Sequence, residues 1–165
     1  YEAKFPVGTM ARLALDLLSF TGARGSDVVQ FGRQHTRDGW LRFTPKKTRK
    51  HGTKVAMPIC PELAASINAT PCGDLAFLLN ARGHPFTAKY FGWQFKQWTI
   101  EAGLPDNCTA HGVRKAAAVR AAINGATSKQ LQAMFGWMSG VEADHYTREA
   151  EVARLSSEAV VLLRR

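Results

Sequence analysis

Residues 111–118 read HGVRKAAA, which sets His111 and Arg114 three positions apart. On a helix that spacing makes them neighbours on one face. If the helix starts here, its unpaired backbone N–H groups and positive dipole end point the same way, and the whole suits an anion. The same spacing also arises often with no function attached. Arg24 stands in TGARGSDV, flanked by glycines that let the chain turn sharply. An arginine there presents its planar fork to an oxyanion, or simply faces water beside a helix C-terminus. Asp27, three residues on, is placed to orient Arg24 or a neighbour through a hydrogen bond. Trp137 follows Gly136, and its indole N–H donates to one acceptor unless the ring is ordinary core. Tyr146 lies nine residues further. A phenol is a weak nucleophile at neutral pH, but beside several cations its phenolate becomes accessible and attacks phosphorus. His145 reads as exposed, a quarter turn from Tyr146 on a helix.

A second group is cationic without being obviously chemical. PKKTRKHGTK carries Lys46, Lys47, Arg49, Lys50 and Lys54. Such a cluster grips phosphates without reading sequence, or is a solvated loop tip in which a single lysine has a special task.

These residues need elements to hold them. Residues 9–20, TMARLALDLLSF, have helical apolar spacing and stop at TGARG. SDVVQF reads as a helical turn leading into an extended stretch. WLRFT (40–44) and TKVAMPI (53–59) read as the strands of an antiparallel hairpin with the basic segment as its tip. Pro61 opens a short helix over 61–67, and LAFLLN (75–80) is a short strand or a buried turn. Residues 88–102 form a helix whose apolar face includes Phe91, Phe95, Trp98 and Ile100. Thr109 caps a helix over 110–123, and Thr127 with Gln130 has capping-box spacing ahead of the next. Residues 141–165 are helical, with a break expected near Tyr146-Thr147. The class is α+β, mainly helical with a small antiparallel sheet.

The 165 residues suit a single domain, and 22 Lys and Arg against 13 Asp and Glu leave a net charge of +9. That charge points to a polyanion, nucleic acid first, over an anionic membrane, for which no bulky amphipathic helix stands out. Cys60, Cys72 and Cys108 are too dispersed for a metal site and read as reduced thiols. No metal is expected and no cofactor. The chain opens on Tyr1 and reads as part of a longer protein.

Taken in order, these pieces resemble the catalytic domain of the tyrosine recombinases, the phage-integrase family, from about residue 8 to 155. An arginine after a Thr-Gly-x turn matches Arg24, with the family's acidic residue at Asp27. The hairpin lysine matches Lys47, supported by KVAMP downstream. His-x-x-Arg matches His111 and Arg114. The family's Gly-His or Gly-Trp position matches Gly136-Trp137, and its nucleophile matches Tyr146 in HYTREA. The KAAA that follows Arg114 departs from relatives with larger residues, which alters packing rather than the polar set.

The resemblance implies DNA strand cleavage by Tyr146 through a 3′-phosphotyrosyl intermediate, without metal or ATP. Arg24 and Arg114 hold the phosphate oxygens, His111 and Trp137 add hydrogen bonds, and Lys47 protonates the 5′ oxygen. It implies double-stranded attachment sites as partners, a homotetramer on DNA, accessory bending or directionality factors, and work at the nucleoid of a bacterial cytoplasm. It also implies a separate N-terminal DNA clamp, to which nothing in these residues corresponds. The C-terminal tail, 148–165, carries an apolar stripe at Val152, Leu155, Ala159, Val160 and Leu163 that docks on a neighbouring protomer or folds back. A type IB topoisomerase, a non-catalytic basic DNA-binding module and a metal-free phosphodiesterase are the rival readings.

Overall fold

The computed structural model describes Tyr1–Leu163, apart from the side chains of Glu149 and Ala153. The basic pair ending the tail, Arg164 and Arg165, lies outside the described residues. Among the described residues, seven α-helices run in chain order as α1 (Met10–Thr21), α2 (Gly25–Val28), α3 (Pro61–Ala69), α4 (Ala88–Glu101), α5 (Ala110–Ile123), α6 (Ser128–Phe135) and α7 (Gly140–Leu162). Between α2 and α3 lies an antiparallel sheet, in the order β1 (Thr36–Arg37), β2 (Trp40–Phe43) and β3 (Val55–Pro58). The expected α+β architecture is present.

The expected hairpin pairs Leu41 with Met57 and Phe43 with Val55. Leu41, Val55 and Met57 are buried, as one face of an amphipathic pair should be. Its basic tip is more ordered than a loop: Lys46–His51 coil into a 3-10 helix closed by Gly52 at φ +69°. Strand β1 is an addition to the sequence reading. It joins β2 through Asp38-Gly39, both at positive φ, and Asp-Gly is a strong signature for such a tight hairpin.

Hydrogen-bonded caps set the helix starts. Thr9, Thr87, Thr109 and Thr127 each accept an N–H of their helix's first turn. The Thr127–Gln130 box closes in both directions, with Thr127 N donating to Gln130 Oε1 at 2.7 Å. Helix α3 runs two residues beyond the expected stretch. In α4, Phe91, Phe95 and Thr99 turn inward at four-residue intervals, while Ile100 stands 49% exposed. Its assignment to the apolar face is therefore corrected: Ile100 sits about 100° round from Thr99. Residues 75–80 are an irregular stretch rather than a strand, with Ala76, Phe77 and Leu78 buried and Leu75 74% exposed; Phe77 N donates to Phe31 O at 2.7 Å, and an isolated bridge joins Leu79 and Pro85.

The break expected near Tyr146-Thr147 does not occur. Helix α7 is continuous there, because Ala143 and Thr147 are both buried and keep one face of the helix against the domain. Two apolar clusters result. The larger unites α1, the sheet, α3 and α4 around Leu13, Leu17, Phe31, Leu41, Phe91 and Phe95. The smaller joins α5, α6 and α7 through Ala117, Ala118, Leu131, Phe135 and Ala143. The alanines that look bland in sequence let α5 approach α1 on one side and α7 on the other.

Candidate active site

The site lies where the two clusters meet. Helix α1 ends at Gly22, in the left-handed conformation at φ +61°, and Arg24 follows it as the residue that opens α2. The tight turn is required by its neighbour: a Cβ on Gly22 would lie 2.5 Å from the Phe135 ring. Helix α5 begins at Thr109 and carries His111 and Arg114 in its first turns. Arg114 is buried, 5% exposed. Its Nη1 donates to Gly22 O and its Nη2 to Phe135 O at 2.9 Å, so one guanidinium joins the C-terminal ends of α1 and α6. Three of its five N–H groups remain for a ligand. Burial, and then the charge of Arg24, lower its pKa to about 10, against the opposing pull of Asp27 and Tyr146. One terminal nitrogen of Arg24, Nη1, is buried with no partner. A buried donor left unpaired is costly, and a bound oxyanion would satisfy it.

Asp27 is 4% exposed, and among the ion pairs of the described residues none joins it to Arg24. Its Oδ1 accepts the backbone N–H of Lys46 at 2.8 Å, which anchors the first residue of the 3-10 tip. The neighbour it orients is thus the lysine-bearing segment. Pro45, just before that segment, packs on Gly136: a Cβ there would lie 3.0 Å from Pro45 Cγ. The tip is in this way tied to both α2 and the α6–α7 turn.

Trp137 and Tyr146 form a stack. The Tyr146 ring lies 5.4 Å from Trp137 at an interplanar angle of 3°, and Trp137 lies 4.8 Å from Phe135 at 18°. The Arg114 guanidinium sits 5.0 Å from the Phe135 ring centre and 5.5 Å from that of Trp137. The indole is a half-buried platform for the phenol, a role its residue type did not announce. His145 is exposed, as expected, yet its ring meets Tyr146 edge-on at 5.2 Å.

Arg24, Lys47, His111, Arg114, Trp137 and Tyr146 all line one open cleft of about 430 Å³. Lys115, Val141, Glu142 and His145 line it too and were not among the expected set. Their signal is spacing: Glu142 precedes Tyr146 by one helical turn, and Lys115 and His145 adjoin expected residues. His111 is exposed at the cleft mouth, yet partial desolvation first, and then Lys115, Arg114 and Arg24, hold its pKa below the ordinary value, which favours neutral imidazole. Of the other tip cations, Arg49 faces a separate cleft of about 440 Å³ with Asp27, His35 and Arg42, while Lys46, Lys50 and Lys54 are exposed and line neither. Among the described residues, no three His, Cys, Asp or Glu side chains gather as a metal-binding group.

This arrangement defines a cation-lined cleft with a tyrosine at its wall, built on a helical domain with a small sheet. The family model described as "Phage integrase family" matches residues 2–152, and the chain belongs to that family. Its fold is that of the tyrosine recombinase catalytic domain. Lambda integrase, in a dimer bound to a COC′ core site, superposes with a TM-score of 0.73 at 23% identity, covering 89% of this chain and 55% of that one. The Tn1549 transposon integrase, in complex with circular intermediate DNA, gives 0.69 at 18% identity, covering 87% and 59%. XerA recombinase gives 0.67 at 14%, covering 90% and 61%. The chain therefore spans little more than half the length of these relatives. No curated protein matches it.

Proposed function

We propose that this domain cuts and rejoins DNA as a site-specific recombinase, with Tyr146 as the nucleophile. The observation that carries the reading is the convergence of Arg24, Lys47, His111, Arg114 and Tyr146, from four separate elements, on one cleft. In the proposed step the Tyr146 oxygen forms a bond to phosphorus while its proton passes to neutral His111. The P–O5′ bond breaks and Lys47 protonates the departing oxygen. Arg24 and the free donors of Arg114 hold the non-bridging oxygens, where negative charge develops. Trp137 supports the Tyr146 ring and lines the cleft, where its indole N–H would donate to the phosphate. The linkage formed is a 3′-phosphotyrosine, so a second 5′ hydroxyl can reverse the step without metal or ATP. Asp27 acts by holding the tip, and Lys46, Arg49, Lys50 and Lys54 contribute charge toward the duplex.

The proposed partners are double-stranded attachment sites and further copies of the chain. The solved relatives include a lambda integrase tetramer bound to a Holliday junction. Assembly as a homotetramer on DNA, with accessory bending or directionality factors and a place at the bacterial nucleoid, belongs to the same reading. Among the described residues no helix is long and apolar enough to cross a membrane.

The test is covalent trapping. The protein is incubated with a nicked suicide duplex carrying its cognate core, in EDTA, and resolved on a denaturing gel. A protein–DNA adduct is expected that is lost in Tyr146→Phe, with duplex affinity kept within about twofold. Cleavage without an adduct would indicate hydrolysis, and DNA binding without cleavage a non-catalytic module.

A further inference from the structure

A cleft built to hold phosphate contains one carboxylate. Glu142 lines it beside Arg24, Lys47 and Tyr146, in the first turn of α7. A carboxylate there repels the incoming phosphodiester, so its presence asks for an offsetting role. Its Oε2 accepts the Ser139 hydroxyl at 2.8 Å. That bond fixes the side chain and leaves Oε1 for a cation. The carboxyl is held below its ordinary range by Ser139 and its own backbone N–H, then by Lys47 and Arg24, which keeps it charged and makes it a poor acceptor for the Tyr146 proton.

Lys47 lines the same cleft. The Lys47 backbone is secured, with Lys46 N on Asp27 and Pro45 on Gly136. The Lys47 side chain is exposed, and no ion pair holds it among the described residues. A lysine is a flexible stem with a point charge, so a secured backbone does not locate its ammonium. We propose that Glu142 is a positioning residue that draws the Lys47 ammonium over the cleft, where the 5′ oxygen departs. The attraction acts beyond direct ion-pair contact, so the ammonium stays free to meet DNA. The proposal rests on the tyrosine-transfer reading above.

A simpler role for Glu142 is an acidic residue at a helix N-terminus, favoured by the dipole. The two differ in their dependence on the leaving group. A 5′-bridging phosphorothiolate leaves as a thiolate and needs no proton donor, so it bypasses Lys47. Glu142→Gln retains an acceptor for Ser139 and removes the charge. Single-turnover adduct formation is measured for wild type, Glu142→Gln, Lys47→Ala and the double variant, on matched phosphodiester and phosphorothiolate duplexes. Glu142→Gln is expected to be slower by about tenfold on the phosphodiester and within about twofold of wild type on the phosphorothiolate. The double variant is expected to match Lys47→Ala, since a positioning residue has nothing left to position. An equal defect on both substrates, no defect on the phosphodiester, or additive losses in the double variant would overturn the proposal. No adduct from wild type on either duplex would overturn the tyrosine-transfer reading itself, and this proposal with it.

Discussion

His111 faces the cleft from the first turn of α5, with Lys115, Arg114 and Arg24 around it. Those charges and its partial desolvation disfavour the imidazolium and favour the neutral ring. If His111 accepts the Tyr146 proton as proposed, adduct formation per unit protein and DNA is expected to be low where His111 is protonated and to rise with pH as it loses that proton. For the free enzyme the midpoint of this acid limb lies below the ordinary 6.5. Measuring kcat/KM for adduct formation from pH 5 upward, roughly, checks it, and His111→Gln should flatten the limb. Most of this residue set is legible from its types and order along the chain. The partners are not. Nothing in HGVRKAAA says that Arg114 spends two donors on Gly22 O and Phe135 O. Nor does FGWMSG say that its indole carries the tyrosine ring.

At the scale of elements, Arg114 explains why α1, α5 and α6 meet where they do. Its two carbonyl partners sit at helix C-termini, where backbone oxygens lack helical donors and the dipole favours a cation. Gly22 supplies one of those oxygens and takes the left-handed turn that Phe135 crowds. Gly22→Ala is therefore expected to cost about 1–3 kcal/mol, from backbone strain and from displacing the Phe135 ring. Urea unfolding should show the lower midpoint. Adduct yield should fall as well, because the same shift moves the Arg114 anchor. The elements themselves were readable where their signals are local: Thr109, the Thr127–Gln130 box, Pro61 and the alternation of β2 and β3. β1 escaped because two residues are too few for periodicity, although Asp38-Gly39 marks the turn. The expected break in α7 was wrong because helix continuity depends on the bed that Ala143 and Thr147 occupy.

For the whole molecule, the net charge of +9 favours a polyanion, and the cation-lined cleft gathers the candidate site residues on one face. Beyond the cleft α7 runs on, with Val152 60%, Leu155 53%, Val160 53% and Leu163 79% exposed. Ala159, the remaining member of the stripe, is exposed too. The stripe is not packed back on its own domain, which supports docking on a neighbouring protomer. Truncation after Glu151 should leave the domain's unfolding free energy within ~0.5 kcal/mol, as for surface changes. The same truncation should lower the stoichiometry of the DNA complex measured by sedimentation. Unchanged assembly would place the protomer contact elsewhere.

By itself the sequence determined the class of fold and the order of the candidate site residues. Apolar periodicity, caps and turn residues act over a few positions, and each site residue sits at a local landmark: a turn, a tip, a helix start. Tertiary structure decided how those landmarks are joined. Arg114 is a clasp between two helix ends as well as a wall of the cleft. Asp27 holds Lys46 rather than Arg24, Trp137 lies flat beneath Tyr146, and Glu142 enters the cleft unannounced. Each depends on atoms brought together from distant stretches of chain. Spacing along a chain encodes which face a side chain occupies, but only packing sets what stands opposite it.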